Sequence, residues 1–111
     1  MPSLKKYYLC YMILIDKHKD KLRELCKAYS VSRLYVFGSI LSGRFTKESD
    51  IDLIVSFDKI QLEYYVDNYY DFKYSLEQLF KRKIDLLEEK AIKNPFFKQS
   101  IDKTKRLVYG Q

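Results

Sequence analysis

Two short stretches constrain this chain most: Val36-Phe37-Gly38-Ser39 and, after ten intervening residues, Asp50-Ile51-Asp52-Leu53. The first closes a β-prone apolar run on glycine and serine, so the chain leaves a strand through a tight turn. The second alternates, and residues two apart in a strand share a face. Asp50 and Asp52 therefore project to one side, while Ile51 and Leu53 point the other way into a core. Lys83-Ile84-Asp85-Leu86-Leu87 repeats the device with a single carboxylate between apolar neighbours. If that third strand pairs with the second, all three carboxylates converge.

The rest of the chain supplies elements to hold these strands. Residues 4–28 read as helix, with Leu22, Leu25, Cys26 and Tyr29 at the spacing of a buried stripe. The first strand is expected over 34–37, one helical turn over 39–43, a polar loop over 44–49 and the second strand over 50–57. Leu62, Tyr65, Val66, Tyr69, Phe72, Leu76, Leu79 and Phe80 form one apolar face of a helix over 62–80. The third strand follows over 84–87. Asn94-Pro95 suits the N-cap and first turn of a last helix over 95–107, with Tyr109-Gly110 beyond its end. This order gives an α/β chain on a small sheet, with residues 1–111 read as one domain.

Composition narrows the classes. With 47% apolar and 32% charged residues the chain fits a soluble globular protein, not a disordered one. Its eleven tyrosines suit contact with a partner. The net charge of +6 is spread along the chain, and the basic run over 17–27 reads as a solvated helix face. A surface that attracts triphosphate or RNA stands as the alternative. Cys10 and Cys26 have neither zinc nor disulfide spacing and read as reduced, buried thiols. His18, in a charged stretch, reads as a surface residue. The apolar run over 7–15 is far short of the roughly 20 residues that span a bilayer and lacks a cleavage site. It reads as a helix start or partner-docking segment of a cytoplasmic protein.

The carboxylates carry the chemistry. Two so close repel unless a cation lies between them, and magnesium suits carboxylate oxygens together with substrate phosphates. Two ions about 4 Å apart would activate an attacking oxygen and steady a leaving pyrophosphate. In such a site Asp50 and Asp52 bind both ions, and Asp85 binds one and acts as general base toward an acceptor hydroxyl. Gly38 lets backbone approach the phosphates, and Ser39 offers a hydroxyl and an N–H.

Gly38-Ser39, the ten-residue interval and Asp50-Ile51-Asp52 resemble the signature of the DNA polymerase β-type nucleotidyltransferase superfamily. Val36-Phe37-Gly38-Ser39, Ser49-Asp50-Ile51-Asp52-Leu53 and Lys83-Ile84-Asp85-Leu86 resemble its minimal nucleotidyltransferase (MNT) branch, over about residues 22–110. The resemblance implies a three-stranded mixed sheet flanked by about four helices, magnesium dependence, and transfer of NMP from an NTP. Members of the branch often act as the antitoxin of a HEPN-domain protein and transfer AMP from ATP to its tyrosine. The family's metal roles carry onto Asp50, Asp52 and Asp85, and its phosphate-binding roles onto Gly38 and Ser39. The arginine that many relatives carry just after the Gly-Ser is missing, and Arg44 or Lys47 is left to supply that charge. Two other functions fit the same residues: an antitoxin that works by contact alone, and a transferase for RNA or a small molecule gripped by a partner chain. Residues 1–15 extend the usual start of the domain, and the extension is expected to be helical and to cap a hydrophobic groove or form part of a dimer or partner interface.

Overall fold

The computed structural model describes residues 13–38 and 50–110. Ser39, Arg44, Lys47, Cys10 and the expected turn and loop over 39–49 lie outside the described residues, as does most of the N-terminal extension. Residues 13–17 are helical, and α1 (Lys19–Ala28) follows. The single helix expected through Ala28 is interrupted at His18, whose N–H bonds back to the Ile15 carbonyl at 3.1 Å. Three-residue closure of this kind tightens a turn and ends the α-helical ladder.

Strand β1 (Val31–Phe37), strand β2 (Ile51–Phe57), helix α2 (Leu62–Phe80), strand β3 (Ile84–Glu88), a 3₁₀ turn (Glu89–Ala91), helix α3 (Pro95–Thr104) and strand β4 (Arg106–Tyr109) complete the order. The sheet is four-stranded, β3-β2-β1-β4, with only the β2–β3 pair parallel. The expected sheet of three strands is thus corrected to four. The last helix ends at Thr104, whose hydroxyl bonds back to the Ser100 and Ile101 carbonyls, and Lys105 is already extended. Arg106-Leu107-Val108-Tyr109 is β-prone, and β1 offers it an open edge, so pairing overrides the helical spacing of the residues before it. The Asn94 cap forms as expected, its side chain accepting from the Phe96 and Phe97 amides at 3.0 and 3.2 Å.

Helices α1 and α2 cover one face of the sheet. Leu22 and Cys26 from α1 and Phe72, Leu76 and Phe80 from α2 close on Leu34, Val36, Leu53, Val55, Ile84 and Leu86. Ile15, at the end of the apolar N-terminal run, joins them. At about 25 cal/mol per Å² of apolar surface, this cluster is the main favourable contribution to folding. Burial pushes the Cys26 thiol up to about 12, so it stays protonated as a core residue. The expected apolar face of α2 is fully buried at Phe72, Leu76 and Phe80 and half-buried at Tyr65 and Tyr69. Leu62 is 87% exposed and Val66 58%, because they stand in line with exposed Tyr70 and Tyr74 on a face of α2 turned from the one that Tyr65 and Tyr69 pack against the core. His18 is half-buried and packs edge-on against Phe80 with ring centroids 5.1 Å apart; burial and then Lys17 lower its pKa. Lys19, Lys21, Arg23 and Lys27 are exposed, the solvated face expected of them.

Candidate active site

The face of the sheet away from α1 and α2 carries the carboxylates. Strand β2 starts at Ile51, whose N–H reaches the Lys83 carbonyl at 3.1 Å, so β2 and β3 are joined from the first residue. Ile51 then pairs with Ile84, and Asp52 with Asp85. The isoleucines are buried; Asp85 is exposed and Asp52 half-buried. In-register residues on parallel strands, about 4.8 Å apart, project to the same face. Asp52 and Asp85 are therefore neighbours although the whole of α2 separates them in sequence. On its other side Asp52 pairs with Phe37, the last residue of β1. Asp50 is exposed and stands one residue before β2.

Gly38 completes this corner. Its φ is +76°, a conformation that favours glycine. A Cβ there would lie 2.3 Å from Asp52 Oδ2 and 3.0 Å from its Cγ. The missing side chain is the space the Asp52 carboxylate occupies, so the turn glycine and the central carboxylate fit each other.

Carboxylates directly across two strands repel, and a hard divalent cation is the species that offsets this. Among the described residues, no three acidic, histidine or cysteine side chains are gathered closely enough to enclose a metal. The structure thus pairs Asp52 with Asp85 and does not draw all three aspartates into one cage. That is compatible with magnesium, which is typically bound by one or two carboxylates and completed by substrate phosphates and water. The donor set fits the ion.

Several polar side chains beside the site were not legible as such in the sequence. Tyr69, counted with the apolar face of α2, donates its hydroxyl to the Leu86 carbonyl. Tyr65 donates to the Glu88 carboxylate, and Glu77 accepts the Ile84 N–H at 3.3 Å. Burial, then the charges of Tyr70, Asp85 and Glu88, raise the Tyr69 pKa; burial and the bond to Glu88 raise that of Tyr65. Both remain neutral donors. The available signal was chemical: a tyrosine on an apolar helix face must find a partner for its hydroxyl. Hollows of about 360 and 700 Å³ adjoin Tyr109 and Gly110, at the Val31 end of β1 and about 20 Å along the strand from Gly38.

A family model described as polymerase beta, nucleotidyltransferase, matches residues 20–111. A candidate protein adenylyltransferase of Methanocaldococcus jannaschii is 36% identical over 96 residues, covering 86% of this chain and 90% of its own. Among solved structures, a candidate minimal nucleotidyltransferase aligns with TM-score 0.68 at 23% identity, over 83% of this chain and 90% of that one. A structure of a tri-AMPylated Shewanella oneidensis HEPN toxin in complex with its MNT antitoxin aligns with TM-score 0.59 at 17% identity, over 86% and 72%. The two structural likenesses are likenesses of fold.

Proposed function

We propose, because this chain belongs to the polymerase β nucleotidyltransferase family and is a nucleotidyltransferase of its minimal branch, that it transfers AMP from ATP to a tyrosine hydroxyl of a HEPN-type toxin. The observation that carries this reading is the in-register pair Asp52–Asp85, with Gly38 shaped around Asp52. The name of the Methanocaldococcus relative and the AMPylated toxin in the Shewanella complex support the choice of AMP and of a protein acceptor. In this reading the protein acts in the cytoplasm as an antitoxin. The side chains of Leu62, Val66, Tyr70 and Tyr74, exposed at four-residue intervals on α2, supply apolar area for the toxin to cover.

The roles follow from position. Asp50 and Asp52, with Asp85, would hold one or two magnesium ions, which supply charge neutralisation at the triphosphate and the pyrophosphate leaving group. Gly38 keeps the turn open against Asp52, and Ser39 contributes its hydroxyl and N–H to a phosphate oxygen. Asp85, exposed at the sheet edge, accepts the proton of the acceptor hydroxyl. The acceptor oxygen forms a bond to the α-phosphorus, the bond from that phosphorus to the bridging oxygen breaks, and pyrophosphate leaves. Asp52, between Phe37 and Asp85 and in contact distance of Gly38, is the member least free to move.

Incubation with magnesium, α-labelled ATP and a HEPN-domain protein from the same genome tests this, comparing wild type with the Asp50→Ala/Asp52→Ala double variant. Label on the toxin with wild type alone is expected. An unlabelled toxin that is still neutralised by the double variant would replace catalysis with neutralisation by contact.

A further inference from the structure

We propose that Tyr69 and Glu77 are positioning residues that bracket the backbone on both sides of Asp85 and so fix where its carboxylate stands. The function of the bracket rests on the adenylyl-transfer reading above; its existence does not.

Strand β3 is at the edge of the sheet and carries an exposed carboxylate. In a parallel ladder, alternate residues turn both backbone groups toward the partner strand. Because the Lys83 carbonyl accepts from Ile51, residues 83, 85 and 87 face β2, and 84, 86 and 88 face outward. Outward groups on an edge strand ordinarily go to water or to another chain. Here one helix takes two of them: Ile84 N–H donates to Glu77 Oε2 at 3.3 Å, and the Leu86 carbonyl accepts from the Tyr69 hydroxyl. The bond from Tyr65 to Glu88 continues the seam. The two residues flanking Asp85 are therefore each tied to α2.

The helix is a firm anchor at that point. Phe72 and Leu76, which lie between Tyr69 and Glu77, are fully buried against the sheet. Asp52 stands in register with Asp85 on the neighbouring strand, like charges so placed repel, and an edge strand is the element that yields by peeling outward. Bonds on the outer side of β3, at the residue before and the residue after Asp85, resist that displacement. A base held this way stays within reach of an acceptor proton, and misplacement of about 1 Å costs on the order of 100-fold in rate.

The test compares Tyr69→Phe, Glu77→Gln and Glu77→Ala with wild type. Tyr69→Phe keeps the ring and its packing, and glutamine keeps an acceptor for the Ile84 amide. Amide exchange over residues 84–87 in metal-free protein is the first readout. The bracket predicts faster exchange in Tyr69→Phe and Glu77→Ala, and near wild-type exchange in Glu77→Gln. The second readout is AMP transfer to the HEPN protein, where kcat is expected to fall about 10-fold in Tyr69→Phe and Glu77→Ala with KM for ATP within about twofold of wild type. Unchanged exchange in both Tyr69→Phe and Glu77→Ala would overturn the bracket. Faster exchange with undiminished kcat would overturn its positioning role. If wild type transferred no AMP, the function reading would fall, and the exchange measurement would still decide whether the bracket exists.

Discussion

At the scale of single residues, Gly38 shapes the corner in which the Asp52 carboxylate stands. An L residue at φ +76° costs about 1–2 kcal/mol, and a methyl group there would collide with the Asp52 carboxylate. Gly38→Ala is expected to lower stability by about that amount. It should also reduce AMP transfer by roughly 100-fold, because it displaces Asp52 by about the length of a bond. Thermal melts and AMP-transfer rates on the same preparations separate the two effects. An active Gly38→Ala protein with an unchanged melt would mean that the turn accommodates a side chain. The sequence signalled Gly38 and the three aspartates because their types are unusual where they stand. It did not signal Tyr69 and Glu77, whose work is done through backbone groups of another element.

At the scale of elements, β4 is the instructive case. Its register pairs, Leu34 with Tyr109, Tyr35 with Leu107 and Val36 with Arg106, close the edge of β1, while Lys105 Nζ sits 4.3 Å from the centre of the Tyr35 ring. Cross-strand pairs contribute about 0.2–1 kcal/mol each. Ending the chain after Lys105 should therefore cost about 1–3 kcal/mol and expose a strand edge prone to self-association. Urea unfolding and size-exclusion chromatography check this, and a truncated protein that stayed monomeric with an unshifted midpoint would assign β4 no structural role. Strands β1, β2 and β3 and the length of α2 were legible because alternation or helical spacing persisted over enough residues. Arg106–Tyr109 was not, since four residues following a capped helix carry too little periodicity, and the free edge of β1 exists only in three dimensions. The break at His18 escaped for a similar reason: the apolar spacing runs through it, and only the bond back to Ile15 marks the turn.

At the scale of the molecule, a chain of net charge +6 gathers carboxylates at one end of one sheet face. In the proposed reading, the net positive charge favours approach of a polyanion such as ATP, and the carboxylates would hold the cation that travels with it. Magnesium at about ten times its dissociation constant should stabilise the fold by about 1.4 kcal/mol, a rise of several degrees in Tm. Asp85→Asn is expected to raise the metal-free Tm slightly, by relieving the push from Asp52, and to shrink the magnesium-dependent rise. A differential scan with and without magnesium reads both. Equal shifts in wild type and variant would separate Asp85 from the metal.

The register of Asp52 with Asp85 also sets when activity can arise during synthesis. Asp52 emerges from the ribosome well before Asp85, and β3 can align beside β2 only after the whole of the intervening α2 has been made. Local contacts form early and distant ones late. Ile84 and Leu86 of β3 also enter the core, so a nascent chain closes its core and aligns Asp52 with Asp85 in the same step, and a truncated product ending before β3 would lack both.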